Sequence, residues 1–347
     1  MTRHRSTRPP ARITMQDVAE AAQVSQTTVS FVLSGRPDTS IAEPTRQRVL
    51  EAAQALGYRP NAMARALRQG TSTLVGLISD EVATTPFAGL IVRGAQDAAW
   101  QHRRILALVS TSHRDDLEQE AIDSLLQHQV DTFLIATMFH RRITIPPALR
   151  GQAVVLVNCI SDDALVRSVV PDEQAGGRLA TTHLLEHGHT RIGIVDTLHP
   201  GPAATLRLQG HLEAMADAGL AQAPDRIVHR PGDQEAGEQA ARQLLDRPDR
   251  PTALFCLNDR AAMGAQAAAR SLGLRMPEDL SLIGYDNQEV IAAHLHPALT
   301  TMQLPHHELG YQGASALLGA TTLPPGCTRL ACPLVRRASV SPPARTP

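Results

Sequence analysis

The 347-residue sequence contains no lysine, so arginine carries every fixed positive side-chain charge. Aromatic residues make up only 3% of the chain, which predicts a core of aliphatic and alanine side chains. No run of about eighteen apolar residues occurs, so no transmembrane helix is expected. The basic, proline-containing segment 1–12 is not followed by the apolar stretch of a signal peptide. We therefore expect a cytoplasmic protein with no membrane partner.

The signals of catalysis and metal binding are also missing. The histidine pairs at 187–189 and 306–307 lie where helices begin or end, and we interpret both as structural. Gly176–Gly177 lacks the strand–GxGxxG–helix context of a phosphate loop. The four cysteines have no CxxC spacing, so we expect them to be reduced. No catalytic residue, metal or cofactor is predicted.

Charge is distributed unevenly along the chain. Residues 1–70 hold ten arginines against five acidic residues, whereas the remainder is net acidic. A basic head on an acidic body favours contact between the head and a polyanion. On charge alone, a solvated basic terminus explains the pattern equally well.

Residues 13–58 predict a small helical head. Thr14 and Asp17 have the spacing of a capping box, which starts a helix. After a short break, Ser25 is placed to cap a second helix that opens with small polar residues. A third helix is expected after Pro44 and before Gly57. Two short helices joined by a tight turn form a helix-turn-helix, whose second helix enters the major groove of DNA. Segment 59–70 predicts a further helix, too short to be stable alone in water.

The stretch DVAEAAQVSQTTVSFVLSG, followed by TRQRVLEAAQALGYRPNAMARAL, resembles the DNA-binding head and hinge of the lac/gal repressor family. The resemblance implies that Gln26 and Thr27 read bases and that Leu67 wedges into the minor groove. It places the remaining DNA-binding positions at Thr14, Ser25, Thr28, Ser30, Asn61 and Ala64. Phe31 stands where the family commonly has a guanine-reading arginine, so one operator position should be read differently. For Leu67 a packing contact is the alternative.

From residue 71 to about 340 the pattern changes. Eight apolar, strand-like runs alternate with amphipathic helices, in two sets. Such alternation predicts parallel sheets covered on both faces, hence two doubly wound α/β lobes. We place lobe 1 at about 74–169 and 304–331, and lobe 2 at about 171–300 and 333–340. Residues 1–12 are expected to be a disordered arm, and 341–347 a tail.

This region also resembles the family's core, which is similar to a periplasmic sugar-binding protein; SVVPDEQAGGRLATTHLLEHGHTRIGIV, LFCLNDRAAMGA and SLIGYDN carry much of the resemblance. It implies three chain crossings between the lobes, near 169–170, 301–304 and 332–334. Ligands of doubly wound folds bind at the carboxyl ends of strands, here in the cleft between the lobes.

The predicted effector site combines chemistry with the resemblance. Asn258 and Asp286 follow strands, and Arg207 opens a helix, so together they offer an amide, a carboxylate and a guanidinium to ligand hydroxyls. The resemblance adds Phe87, which stacks on the ligand, and Asp172. The alternatives are a salt bridge within one lobe for Arg207 and Asp286, a helix cap for Asn258 and a core aromatic for Phe87.

These observations predict a homodimeric, operator-binding transcription regulator, most simply a repressor, that responds to a small polar metabolite such as a sugar. A periplasmic binding protein and an α/β enzyme carrying a DNA module are the alternatives. The missing signal peptide argues against the first, and the missing phosphate loop argues against the second.

Overall fold

The computed structural model describes residues 13–33, 41–58, 72–85, 88–198 and 201–344. The chain divides into two compact units, Met1–Ser72 and Thr73–Pro347, which we call the head and the core. The predicted arm at 1–12 and hinge helix at 59–70 lie outside the described residues, as do the last three residues of the predicted tail.

The head contains three helices: α1 Met15–Ala22, α2 Gln26–Leu33 and α3 Glu43–Ala55. The capping box predicted before α1 is present, because Thr14 Oγ1 accepts from the Asp17 amide and Asp17 Oδ2 accepts from the Thr14 amide. Gln23 ends α1 in a left-handed conformation, with φ 54°, which turns the chain into α2. Small aliphatic side chains from all three helices, including the fully buried Val18 and Val29, form the head's own core.

Lobe 1 of the core is a six-stranded sheet. Its strands are β1 Leu74–Ser79, β2 Ile105–Ser110, β3 Thr132–Arg142, β4 Ala153–Ile160, β5 Arg167–Pro171 and β11 Gly326–Leu330. They lie in the order β11-β5-β4-β3-β1-β2, and every pair is parallel. Its helices are α4 Gly89–Gln101, α5 Asp115–Gln127 and α11 His306–Leu317. α4 and α11 pack together over one face of the sheet. α5 covers the other face, where its Ile122 is buried in an apolar cluster with Ile78 and Phe133.

Lobe 2 repeats this arrangement. Its strands are β6 Ile192–Thr197, β7 Ile227–Arg230, β8 Ala253–Cys256, β9 Ser281–Asp286, β10 Thr300–Gln303 and β12 Leu334–Val335. The order is β12-β10-β9-β8-β6-β7, with only the β10–β12 pair antiparallel among the pairs of the described chain. Its helices are α6 Glu173–Glu186, α7 Pro202–Asp217, α8 Gln234–Leu245, α9 Asp259–Ser271 and α10 Glu289–Ala292.

The two doubly wound lobes confirm the predicted fold class, and all eight predicted apolar runs are strands. The four strands without a prediction, β5 and β10–β12, adjoin the places where the chain passes between the lobes. The chain changes sheet after Pro171, after Gln303 and after Leu330. β5 and β10 therefore extend two to three residues beyond the predicted lobe limits at 169 and 300.

One local prediction was wrong. Arg207 does not open its helix; α7 begins at Pro202, and Arg207 lies in its second turn. Proline is well suited to the first turn, where its missing N–H has no intrahelical acceptor. Across the described part of the chain, no helix is both long and apolar enough to cross a membrane.

Candidate DNA-binding and effector sites

The start of α2 presents polar side chains to solvent. Ser25, Gln26 and Thr27 are exposed, whereas Thr28 and Ser30 are half-buried. Ser25 Oγ accepts from the Thr28 amide at 3.1 Å and so caps α2. Gln26 Nε2 lies 3.4 Å from Oε1 of Gln16 on α1, which places two exposed amides side by side. Such amides have the donors and acceptor needed to read an adenine edge in the major groove.

Other predicted DNA-binding positions are less informative. The Thr14 side chain is engaged in the capping box of α1. Phe31, the departure from the family pattern, is half-buried in α2. Asn61, Ala64 and Leu67 lie outside the described residues, as does Phe87 of the predicted effector site.

A cavity of about 70 Å³ lies between the two lobes of the core. Lobe 1 contributes the end of β3, from Met138 to His140, together with Asn158. Lobe 2 contributes the carboxyl ends of β6, β8 and β9 and the first turns of α6, α7 and α9. The chain after β10 completes the lining with Leu304 and His306. The cavity thus occupies the carboxyl edge of lobe 2, where α/β folds bind their ligands.

A buried ion pair forms the centre of the lobe 2 wall. Arg207 and Glu173 are 9% and 2% exposed, and two hydrogen bonds join them, from Nε to Oε2 at 2.7 Å and from Nη2 to Oε1 at 3.0 Å. The guanidinium also donates to the carbonyl of Leu257 and lies 3.8 Å above the centre of the Tyr285 ring. These contacts fix its plane and direct it towards the cavity.

Asp286 lies beside this pair. Its Oδ1 is 3.6 Å from Arg207 Nη1, and its Oδ2 accepts from Gln288 Nε2 at 3.0 Å. Burial raises the pKa of Asp286 to about 6, although Arg207 and Gln288 favour the charged form. Near neutral pH the carboxylate is therefore charged but readily protonated.

Of the predicted effector residues, the structure brings Arg207, Asn258 and Asp286 together around the cavity. Asn258 caps α9 through its Oδ1, which accepts from the Ala261 amide at 2.7 Å, while its Nδ2 donates to the Gly232 carbonyl. The two alternatives raised by the sequence, a salt bridge between Arg207 and Asp286 and a helix cap at Asn258, are therefore both present. All three residues also line the cavity. Asp172 does not line it; the Asp172 side chain caps α6 by accepting from the Ala175 amide. Its neighbour Glu173 lines the cavity instead.

Lobe 1 reaches the cavity through an irregular stretch of backbone. The register between β3 and β4 shifts between Ala136 and Arg141, so residues 137–140 form a bulge within β3. Asn158, at φ 58°, holds this bulge by donating from Nδ2 to the carbonyls of Thr137 and Met138 at 2.9 and 3.1 Å. Asp80 Oδ1 accepts from the Met138 amide at 2.9 Å. β-Bulges often redirect side chains next to functional sites.

The bulge carries His140 into the cavity wall. This imidazole is 5% exposed, and neither ring nitrogen has a hydrogen-bond partner among the residues that the structure describes. Burial lowers the pKa of His140, and it lowers the pKa of His306 to about 4. Both rings are therefore neutral near pH 7. A neutral imidazole offers one donor and one acceptor, which suits a ligand hydroxyl.

The bulge also brings the lobes into contact. A Cβ built on Gly201, which precedes α7, would lie 2.7 Å from the His140 carbonyl oxygen. That spacing leaves no room for a side chain, so glycine permits the close approach of the two lobes.

Sequence reasoning missed Glu173 and His140. Glu173 stands directly after the proposed Asp172, and its charge is opposite to that of Arg207. A search for the buried ion-pair partner of Arg207 would therefore have found it. No comparable signal marks His140, because its position depends on the bulge.

A DNA-reading helix pair joined to a two-lobed, ligand-binding α/β core defines a transcription regulator of the helix-turn-helix class. The comparisons agree. Residues 14–61 match the model "Bacterial regulatory proteins, lacI family", and residues 72–324 match "Periplasmic binding proteins and sugar binding domain of LacI family". The chain belongs to the LacI family of DNA-binding transcription regulators.

Individual relatives support this assignment over nearly the full length. The chain is 36% identical over 336 residues to the HTH-type transcriptional regulator GalR of Escherichia coli K12, covering 95% of this chain and 96% of that protein. The lac repressor dimer bound to operator and the anti-inducer ONPF superposes with a TM-score of 0.81 at 26% identity, covering 95% and 99%. A CelR–cellobiose complex matches with a TM-score of 0.66 at 28% identity, covering 94% and 100%. All three of these proteins are transcription regulators.

Proposed function

We propose that this regulator is a homodimeric repressor whose operator affinity is controlled by a small neutral polyhydroxyl metabolite, a sugar or sugar derivative, bound between the lobes. The observation that carries the proposal is the interlobe cavity, which combines buried charge pairs with neutral imidazoles.

The charges of the lining favour an uncharged ligand. Among the described lining residues, the carboxylates Glu173 and Asp286 balance the guanidinium groups of Arg207 and Arg260. An anionic ligand would add charge to a site whose charges already balance, at a desolvation cost. A polyol instead accepts from guanidinium and imidazole groups and donates to carboxylates. The related regulator CelR was solved in complex with cellobiose, which supports a sugar as the ligand here.

The head supplies the DNA contacts in this proposal. Gln26 and Thr27 are exposed at the start of α2, where side chains reach base edges in the major groove. Leu67 is proposed to wedge into the minor groove at the centre of the operator, with Asn61 and Ala64 on the same hinge segment. Since Phe31 offers no hydrogen bond to a base, the operator position next to it should be read weakly.

The proposed dimer uses an apolar face of lobe 1. Trp100 at the end of α4 is 73% exposed, and Ile105 at the start of the neighbouring edge strand β2 is 62% exposed. Leu90 on α4 and Leu108 on β2 are further exposed leucines of the same two elements. Large exposed apolar groups on adjacent elements are typical of subunit interfaces. The lac repressor relative is a dimer.

Selection from random duplex DNA tests the operator part. We expect a near-palindromic site whose affinity falls steeply with salt, because arginine–phosphate contacts release counterions. Gln26→Ala should relax one symmetric base position at a cost of about 1–3 kcal/mol. A site without dyad symmetry, or binding that does not depend on salt, would contradict the proposal.

Calorimetry on the wild-type protein tests the ligand class, using glucose, galactose, ribose and cellobiose beside their phosphorylated forms. We expect binding only among the neutral sugars, and weaker binding in Asp286→Asn by about tenfold or more. Tight binding of a sugar phosphate alone would overturn the neutral assignment. Turnover of any of these compounds would support the enzyme alternative.

A further inference from the structure

The loop that follows β9 has an unusual backbone. Asp286 and Asn287 are consecutive non-glycine residues with positive φ angles, 108° and 51°. Such a conformation is strained for a residue with a side chain and persists only when the surroundings determine it. The contacts that impose this conformation therefore also position the Asp286 carboxylate.

The Asn287 side chain supplies one set of these contacts. Its Nδ2 donates to Oε1 of Gln303, and its Oδ1 accepts from Arg337 Nη2 at 2.7 Å. Gln288 adds a second set, since its amide donates to the fully buried Asp259 at 2.7 Å and its side chain donates to Asp286. Both sides of the Asn287 amide are thus used within the protein.

Gln303 is the last residue of β10, immediately before the chain crosses into lobe 1. Its main-chain N–H donates to the Pro333 carbonyl at 2.8 Å, and Pro333 lies in the crossing between β11 and β12. Its Nε2 donates to the Leu304 carbonyl at 2.8 Å, and Leu304 lines the interlobe cavity. Gln303 therefore connects two of the three crossings with the loop that carries Asp286.

Arg337 completes this arrangement from the chain after β12. Its amide donates to Thr300 Oγ1 at 2.9 Å, and its Nη1 donates to the Leu299 carbonyl at 2.8 Å, which fixes it along β10. We call Asn287, Gln303 and Arg337 the crossing cluster.

We propose that the crossing cluster couples the Asp286 loop to the angle between the lobes, so that a displacement of Asp286 moves the two crossings together. The proposal deepens the proposed function, because it names the route by which an occupied cleft changes the geometry of the core. Asn287, Gln303 and Arg337 act on the ligand site as positioning residues.

A purely structural role would predict only a loss of stability. The matched control is Gln266, a buried amide on α9 that donates from Nε2 to the Pro297 carbonyl at 3.2 Å, in lobe 2 and outside the crossings. Gln303→Met and Gln266→Met each remove one side-chain amide while keeping its approximate volume. Both should lower the unfolding midpoint, but only the first should disturb the crossings.

The experiment needs neither operator nor sugar. Hydrogen exchange of the full chain is followed by mass spectrometry on peptides covering 300–305 and 331–335, in the wild type, Gln303→Met and Gln266→Met. We expect exchange in both peptides to rise by up to about tenfold in Gln303→Met, because the end of β10 loses its side-chain bond to Asn287 and the main-chain bond from residue 303 to Pro333 then opens more often. Gln266→Met should leave both peptides at the wild-type rate. Equal exchange in the two variants, or wild-type exchange in Gln303→Met, would overturn the proposal.

A double-mutant cycle tests the connection to the ligand site. Asp286→Asn perturbs the loop in the wild-type background and in Asn287→Gly, which removes the amide while tolerating the positive φ. We expect Asp286→Asn to raise exchange at 331–335 in the first background and to add nothing in the second. Additive effects would show that the two sites act independently. Because the readout is exchange, failure of the sugar or operator assignment would leave this result interpretable.

Discussion

The two lobes of the core have the same strand order but meet their shared cavity in different ways. Lobe 2 presents charged side chains at its strand ends and helix starts, centred on the Glu173–Arg207 pair. Lobe 1 presents a bulge of backbone, held by Asn158 and Asp80, that projects one neutral imidazole. The same architecture can therefore supply charged side chains from lobe 2 and neutral hydrogen-bonding groups from lobe 1.

The strongest test of this difference removes the lobe 2 charge pair. Glu173→Gln leaves the buried Arg207 guanidinium without its bidentate carboxylate, and breaking such a pair typically costs about 3–5 kcal/mol. We expect this loss in urea unfolding of the full chain.

The same two helices supply the control. Arg178 on α6 and Asp217 on α7 form an ion pair at 2.6 Å, but both side chains are more than half exposed. Asp217→Asn should cost less than about 1 kcal/mol, because water screens this pair. Similar losses in the two variants would show that burial does not distinguish the lobe 2 pair.

A second test uses the opposite pH responses of the two walls. Burial raises the pKa of Asp286 from 3.8 to about 6. Its contribution to stability is therefore complete below about pH 4 and is lost as the pH rises to about 6. Between about pH 4 and pH 6, the free energy of unfolding of Asp286→Asn should rise relative to that of the wild type by up to about 3 kcal/mol. This change adds to any difference between the two proteins that is already present at low pH.

His140 should show the reverse trend, because burial lowers its pKa below the ordinary 6.5. The stabilising contribution of the neutral imidazole is present above that value and is lost as the pH falls. The free energy of unfolding of His140→Asn should therefore rise relative to that of the wild type in acid. Unfolding free energies measured at several pH values give both slopes. If the unfolding free energies of the two variants, relative to the wild type, change with pH in the same direction, the predicted contrast between the lobe 1 and lobe 2 walls is wrong.

A third and smaller effect concerns the bulge itself. Asn158→Gly keeps the positive φ accessible but removes the donor from two buried carbonyls, at a cost of about 1–3 kcal/mol. It should also speed exchange of the Met138 amide. Asn258→Ser in lobe 2 keeps a capping oxygen for α9 and loses one hydrogen bond, so it should be milder and leave Met138 protected. Unchanged exchange at Met138 would mean that Asn158 does not hold the bulge.

The lobes also differ in how far the sequence predicts them. Apolar runs alternating with helices predicted both sheets, and polar residues directly after strands predicted Asn258 and Asp286 in lobe 2. The bulge was not predictable, because a register shift between paired strands leaves no periodic signal, and with it His140 was missed. The resemblance assigned Asp172 to the cleft, but its side chain accepts from the Ala175 amide and caps α6. The short strands β10 to β12 were missed because each has only two to five residues and depends on its neighbours for stability.

The head was the most predictable part, since its capping box and the cap at Ser25 are local features. Both are present where the sequence placed them. The roles of Gln26 and Thr27 stay predictions, because they depend on DNA.

The central claim, that a ligand held between unlike walls controls DNA binding, is tested most directly by measuring operator affinity with and without each neutral sugar. The account predicts that at least one sugar changes the operator Kd of the wild type by about 5–150-fold, and that the operator changes the affinity for that sugar by the same factor. Asp286→Asn should bind the operator alone as the wild type does and lose the response to the sugar. A wild-type operator Kd that no sugar alters, or a full response in Asp286→Asn, would contradict the account.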